Sequence, residues 1–371
     1  MDTVTAADLA GTCGRLHAAT GQDCLPSCTT VIVCVPTPTH PDGTPDLEPL
    51  TQATRTVANH LRSGQTVIIE STTHPGTTDG PLREILEEHG LTAGHDFALA
   101  YSPERIDPGN HDHRLTTTPK LVAGLTSRCR DRAAAFYRGL GIPVHLTRGL
   151  REAEAAKILE NTQRQINIAL VNEFAQLCHH LDIDVWDTLA AAATKPFGYT
   201  SYRPGPGVGG HCIPTDPMYL VHCAHQIGMT LRLATAAQDI NDGMPSWIAD
   251  RICKHLDNHA TPVAGAEILL LGVTYKPDIT DIRNTPAVPL ANRLRDRGAT
   301  VTFHDPHITH LNLGDVVLQR VPHLRDALSR AAVCVLLQRH TAYAHDHVLD
   351  PAQTLFDTTC PVSSGLTGFT L

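Results

Sequence analysis

The chain has 371 residues, 42% of them apolar and 18% charged, with a formal net charge of −9. That length exceeds one ordinary hydrophobic core and asks for two or three domains, while an acidic balance with Lys and Arg spread singly excludes a nucleic-acid partner. Apolar runs such as 31–35 and 268–273 fall far short of the ~20 residues a membrane helix needs, and the N-terminus shows no basic segment followed by an apolar stretch, so no membrane partner and a cytoplasmic location are expected.

From 30 to 148, short β-branched runs alternate with helix-like stretches: strand 30–35, helix 50–62, strand 66–70, helix 81–89, strand 97–101. This rhythm predicts a parallel sheet covered by helices. The strands run into polar or Pro-rich loops, Pro36-Thr-Pro38, Ser71-Thr-Thr73 and Ser102-Pro-Glu104, and ligands of open α/β sheets sit at those carboxyl ends. Residues 151–181 contain no Gly or Pro and repeat apolar residues (Ala155, Ile158, Leu159, Ile166, Leu170, Phe174, Leu177) at helical spacing, which predicts one helix ~45 Å long. Such a helix often joins domains or subunits. Helices at 218–227 and 233–256 complete a helical middle. From 267 the sheet pattern returns, with strand 268–271, a loop at 272–283, helix 287–297, and strands 300–304 and 333–337. Beyond 350 nothing is assigned. The expected fold is α/β, with domains at 1–148, 149–258 and 259–371.

The eleven cysteines form a scattered, odd set without a C-x-x-C pair, which fits reduced thiols better than a disulfide framework or a structural zinc site. Cys34 in Val-Ile-Val-Cys-Val and Cys334 in Val-Cys-Val-Leu-Leu read as buried strand residues. Cys212 differs. It lies in Gly205-Pro-Gly-Val-Gly-Gly-His-Cys-Ile-Pro-Thr-Asp216, where the glycines cannot build a strong core element and Pro214 and Pro217 argue against a regular helix, so the thiol is expected on a rigid irregular loop open to substrate. A thiolate there can attack an aldehyde and carry the product as a thioester that water hydrolyses.

His211-Cys212 lacks a second pair at ligand spacing and His111-Asp-His113 reads as a solvated loop, so no metal is expected. The match to G-x-G-x-x-G at Gly205, Gly207 and Gly210 is rejected as a dinucleotide fingerprint, because it follows no strand and leads into prolines. Lys157 and Asn161, four apart, share one face of the long helix. They are either solvated or an ammonium and carboxamide that together stabilise an oxyanion. Asp216 and Glu104 are candidates to move protons or orient water, or else surface carboxylates.

With these residues assembled, the chain resembles the UDP-glucose/GDP-mannose dehydrogenase family, and within it the UDP-N-acetylhexosamine 6-dehydrogenases. The resemblance rests on Val35-Pro-Thr-Pro38, Glu70-Ser-Thr-Thr73, Ser102-Pro-Glu-Arg-Ile-Asp-Pro-Gly-Asn110, Thr194-Lys-Pro-Phe-Gly198, the Gly205 to Asp216 segment, and Gly272-Val-Thr-Tyr-Lys-Pro-Asp278 with Asp281-Ile-Arg283. It implies Cys212 as nucleophile, Lys157 and Asn161 as the oxyanion and proton-handling pair, Asp216 as partner of Lys157 and of a water, and Glu104 as an aid to thioester hydrolysis. Thr37, Thr72 and Arg283 match positions near the cofactor, and Gly207, Gly209, Tyr275 and Lys276 positions that hold the nucleotide sugar. The implied enzyme is a homodimer that uses NAD to oxidise a UDP-N-acetylhexosamine at C6, supplying a sugar acid for polysaccharide assembly. Its fold would be a Rossmann-like sheet, a helical middle domain and a second Rossmann-like α/β domain.

One departure stands out. The family opens with strand, glycine-rich turn, helix and strand, whereas residues 8–28 here read as the helix and loop that precede the Val-Pro-Thr-Pro strand. The expectation is an incomplete N-terminal Rossmann-like sheet, lacking the helix N-terminus that binds pyrophosphate and the acid that holds ribose, with an unpaired edge. A start upstream of Met1, a covering partner or lost redox activity would each account for it. The last makes the chain a nucleotide-sugar-binding protein or a subunit paired with a full-length homologue.

Overall fold

A computed structural model describes residues 6–12, 14–40, 42–106, 112–344, 348–349, 352, 354–360 and 368–371. Asp107-Pro-Gly-Asn110 and His111 lie outside the described residues. In chain order come α1 (Ala6–Gly11), β1 (Thr30–Val33), α2 (Glu48–Ala58), β2 (Thr66–Ile69), α3 (Pro81–Glu87), β3 (Ala98–Tyr101), β4 (Lys120–Gly124), α4 (Ser127–Gly139) and β5 (Val144–Leu146). The helices α5 (Leu150–Leu181), α6 (Val185–Ala193), α7 (Cys212–Gln226) and α8 (Arg232–Asn258) follow. The last stretch holds β6 (Glu267–Leu271), α9 (Ala287–Asp296), β7 (Thr300–His304), β8 (His310–Asn312), β9 (Val317–Gln319), α10 (Leu324–Arg330), β10 (Val333–Leu336), β11 (Leu355–Asp357) and β12 (Gly368–Thr370). The chain divides into two compact units, Met1–Asn161 with Thr215–Leu231, and Thr162–Pro214 with Arg232–Leu371.

In the first unit the strand order is β1-β2-β3-β4-β5. The first three strands are parallel, with Ile32 beside Ile68 and Ile68 beside Ala100. β4 then runs antiparallel to β3, pairing Ala100 with Gly124, so the sheet is mixed where an all-parallel one was expected. A parallel return needs a crossover, usually a helix; among the described residues none lies between β3 and β4. Alternation along the strands separates two apolar faces. Val31, Val33, Val67, Ile69, Leu99 and Tyr101 join α2 and α3 through Leu50, Val57, Leu82 and Leu86, while Ile68, Ala100 and Val122 meet Ala133, Ala134 and Tyr137 of α4. At Gly124 a Cβ would stand 2.1 Å from the Arg130 nitrogen; α4 presses on β4 so closely that only glycine fits.

Cys34 is not a buried strand residue. β1 ends at Val33 with Val31 and Val33 inward, and Cys34 is exposed just beyond it. Among the described residues β1 stands at the edge of its sheet, where the alternate face has little to pack on.

In the second unit β12-β11-β10-β6-β7 form a parallel sheet and β8-β9 a small antiparallel pair. β6 is buried on both sides. Ile268 and Leu270 face Ile248, Ile252 and Leu290, whereas Leu269 and Leu271 share a cluster with Leu328, Cys334 and Tyr343. Cys334 is fully buried. The stretch beyond 350 contributes β11 and β12, three residues each, too short for alternation to show.

α5 is one uninterrupted helix of 32 residues. Its stripe is broader than the core can cover, since Ile158, Ala169, Val171, Ala175 and Cys178 are buried but Leu159, Leu170 and Leu177 are 50–61% exposed. α7 departs from expectation too: helix begins at Cys212 itself and continues through Pro217. Pro214 falls in the first turn, where a missing N–H costs nothing because no helical acceptor precedes it, and Pro217 forgoes one backbone hydrogen bond.

Candidate active site

The N-terminal turns of α5 carry a polar series, Glu154, Lys157, Glu160 and Asn161, within the first unit. Residues three, four and seven apart lie on neighbouring faces of a helix, and these four are tied to three different segments. Lys157 Nζ is 3.8 Å from Asp216 Oδ2, and the Asn161 carboxamide donates to that same oxygen. Glu160 takes a two-pronged contact from Arg105, at 2.7 and 3.1 Å, fixing the loop after β3 to the helix. Glu154 accepts from Thr73 Oγ1 and the backbone N–H groups of Gly76 and Thr78 at 3.1, 2.8 and 2.9 Å.

Asp216 is 1% exposed and Lys157 7%. Burial raises the Asp216 carboxyl from an ordinary 3.8 to about 6, although Lys157 and Asn161 pull it back down. An acid poised there holds a proton at mildly acidic pH and releases it at neutral pH, as a general base requires. It stands on α7, four residues after the helix opens at Cys212.

Glu104 takes no part in this cluster. Among the described residues its polar contacts are the backbone N–H groups of Arg105 and Ile106 and Lys120 at 3.6 Å. Lys120 is itself buried between Glu104 and Glu70, the latter at 3.3 Å. Thr37 is buried just after β1 and Thr72 is partly exposed just after β2. The two loops are joined by Ser71 Oγ donating to the Val35 carbonyl at 2.7 Å. These hydroxyl-bearing loops, at the carboxyl ends of adjacent parallel strands, fit a dinucleotide laid along that edge.

In the second unit the glycine run packs against its own loops. A Cβ on Gly209 would meet Tyr275 Cβ at 2.5 Å, and one on Gly210 would meet the Tyr275 ring at 2.8 Å. Gly210 adopts φ of 85°, donates its N–H to the Arg283 carbonyl at 2.8 Å, and accepts from Asn284 Nδ2 at 2.9 Å. At Gly207, with φ of 128°, a Cβ would lie 3.1 Å from the Asn241 carbonyl. The glycines thus bring the segment before Cys212 flush against the loop that carries Tyr275 and Arg283. Arg283 forks onto Asp281, whose hydrogen bond and charge raise the guanidinium's pKa, with the Cys212 sulfur adding to the effect. Lys276 lies in the same loop, where its carbonyl accepts from Thr274 Oγ1 at 2.8 Å. Cys212 is exposed.

Sequence reasoning missed Glu154, Asp305 and His340. Asp305 follows β7 and is fully buried, accepting from the N–H groups of Val273, Thr274 and His307 and pairing with His340 Nε2 at 3.0 Å. Burial works to raise its pKa, but the His340 and backbone hydrogen bonds hold it below the ordinary value. An acid at the end of the second strand is where a dinucleotide fold holds ribose. Here it fixes the Tyr275 loop instead. Asp278, His307 and His340 bring donor atoms within 4.8 Å of one another, yet His340 Nδ1 accepts the Asp278 N–H and Nε2 faces Asp305, so the group acts as a loop clamp. The Asp305-Pro306 step straight after β7 was the one legible hint; Glu154 and His340 had none.

Comparison with known proteins gives three matches in chain order. Residues 5–140 match the NAD binding domain of the UDP-glucose/GDP-mannose dehydrogenase family, 151–243 its central domain and 269–362 its UDP binding domain. The expected loss of the glycine-rich turn is not confirmed by the first of these. Protein CapL of Staphylococcus aureus is 38% identical over 79% of this chain and 73% of its own length. A UDP-N-acetyl-D-glucosamine 6-dehydrogenase of Pseudomonas aeruginosa is 38% identical over 77% and 68%. Among solved structures, a UDP-D-ManNAc dehydrogenase from Pyrococcus horikoshii superposes with a TM-score of 0.88 at 30% identity, covering 98% of this chain and 85% of that one. No helix among the described residues is long and apolar enough to cross a membrane. The chain is thus a member of the UDP-glucose/GDP-mannose dehydrogenase family, an oxidoreductase whose cofactor is NAD.

Proposed function

We propose that the chain oxidises the C6 alcohol of a UDP-N-acetylhexosamine to the carboxylate, in two steps through a covalent bond to Cys212. The observation that carries this reading is the buried Asp216, titrating at about 6 under Lys157 and Asn161, on the helix that begins with an exposed thiol. The named activities of the relatives, acting on UDP-N-acetyl-glucosamine and -mannosamine, support the substrate class.

NAD, when bound, would supply the hydride acceptor for each of the two oxidations at C6. The chain's own groups handle the rest. In the first oxidation the C6 hydroxyl gives up its proton to the Lys157–Asp216 pair, and an aldehyde forms. The Cys212 sulfur, at a helix N-terminus where negative charge is favoured, adds to the aldehyde carbon, and the new oxyanion is stabilised by Lys157 and Asn161. Loss of the second hydride leaves a thioester. Water activated by Asp216 adds to the thioester and expels the thiolate. Thr37, Thr72 and Arg283 hold the cofactor, and Gly207, Gly209, Tyr275 and Lys276 the nucleotide sugar.

A homodimer through α5 fits its exposed Leu170, Leu177 and Leu181, three large apolar residues on one helix. The test is direct. Purified protein is given NAD with UDP-N-acetylglucosamine, UDP-N-acetylgalactosamine, UDP-N-acetylmannosamine or UDP-glucose. Two NADH per sugar acid formed from an N-acetylated substrate is the expected result; no NADH from any of them overturns the reading.

A further inference from the structure

We infer that Glu154 is a positioning residue for the cofactor, fixing the loop after β2 to the helix that carries Lys157 and Asn161. The inference rests on the reading above, in which Thr72 of that loop lies against NAD.

Three donors converge on the Glu154 carboxylate. Thr73 Oγ1 and the Thr78 N–H donate to Oε1, and the Gly76 N–H to Oε2. Glu154 is fully buried, and among the described residues no cation stands within ion-pairing distance of it. Burial raises its pKa, the hydrogen bonds from the loop opposing that rise. A buried carboxylate without a cation is costly, and an apolar residue would pack there more cheaply if cohesion were all that was needed. What the carboxylate uniquely does is hold three separate points of one loop.

Those points bracket the cofactor edge. Thr73 is fully buried against the helix while its neighbour Thr72 remains partly exposed, and Ser71 ties the same loop to the end of β1. Gly76, at φ of 96°, lets the chain turn back so that two N–H groups face the carboxylate. A second link from α5, Arg151 to Asp79 at 2.9 Å, is exposed on the Arg side at 68%, and such surface pairs contribute little. The geometry therefore leaves Glu154 as the chief fastening between the cofactor loop and the first turns of α5.

The test uses the full chain and the variants Glu154→Gln and Thr73→Val. A glutamine must present an NH2 to at least one of the converging donors, so the loop shifts. The expected outcome for E154Q is a KM and Kd for NAD raised roughly tenfold, with KM for the nucleotide sugar and kcat at saturating NAD within about twofold. T73V, which removes one donor and leaves the charge, should raise the NAD constants about two- to threefold in the same direction, and it carries the test alone if E154Q does not fold. A purely structural role would instead lower melting temperature and active fraction with the NAD constants unmoved, and that result overturns the inference. Wild-type protein that binds no NAD overturns the underlying reading and this inference together. Wild-type protein that binds NAD while both variants bind it equally well overturns the inference alone.

Discussion

Asn161 and Lys157 converge on a single oxygen of Asp216, the amide by hydrogen bond and the ammonium at 3.8 Å. Burial nevertheless outweighs both and lifts the carboxyl to about 6 from 3.8. The folded protein therefore binds this proton more tightly than the unfolded chain does. The stability that goes with protonation is complete below about pH 4 and is lost as pH rises through 6, amounting to roughly 3 kcal/mol. Asp216→Asn removes that loss. The variant should be more stable than wild type at pH 8, by on the order of 2–3 kcal/mol, and equal to it near pH 4, while losing turnover by about a hundredfold or more. Urea unfolding at both pH values checks this, and a variant less stable than wild type at pH 8 refutes it.

The same carboxyl should set the acid limb of kcat/KM. Activity is expected to fall as pH drops through about 6, since the base form is needed for proton abstraction. Asn161→Ala takes away one of the groups that lower the Asp216 pKa, so the limb of its residual activity should move to higher pH. A limb that stays in place in N161A would assign it to another group.

Much of the site was legible because the residues that carry it are close in sequence. Cys212 and Asp216 sit four apart, as do Lys157 and Asn161, and helical periodicity alone put the latter pair on one face. Strands β6 and β7 were legible because each is a continuous apolar or alternating run bounded by Gly and Asp. What sequence could not supply is pairing at long range. Thr73 meets Glu154 across 81 positions and Asp305 meets His340 across 35, and neither contact leaves a local pattern. Direction was equally hidden: nothing in residues 120–124 says that β4 runs against β3. Pro214 misled for a specific reason, since the rule that proline ends helices is relaxed in the first turn, which is where α7 places the thiol; Pro217, inside the helix, is tolerated at the loss of one backbone hydrogen bond.

Gly209 offers a test of the glycine run that leaves every catalytic side chain intact. A Cβ there would lie 2.5 Å from Tyr275 Cβ and 3.0 Å from the Asn284 carbonyl, neither of which is a flexible side-chain tip. Gly209→Ala should cost about 1–3 kcal/mol of stability and displace the Tyr275 loop. The matching kinetic effect is a raised KM for the nucleotide sugar with the KM for NAD little changed. If thermal unfolding and sugar KM both match wild type, the tight packing of this run on Tyr275 plays no part in substrate binding.

Cys212 carries the largest expected effect. Among the described residues Cys24, Cys34 and Cys212 are the exposed thiols, so alkylation alone cannot identify the reactive one. In a background of Cys13→Ser, Cys24→Ser and Cys34→Ser, whose turnover should match wild type, iodoacetamide should abolish activity in step with one modified thiol, and bound nucleotide sugar should slow that loss. Cys212→Ala should lower kcat at least ~10³-fold, the scale expected when a covalent nucleophile is removed. It should still bind NAD and the nucleotide sugar, because replacing the thiol by a methyl group leaves the tight backbone packing of Gly209 and Gly210 on Tyr275 in place. An aldehyde released by C212A would show that the first oxidation proceeds without the sulfur and only the second needs it. Undiminished formation of sugar acid by C212A would remove the thiol from the mechanism altogether.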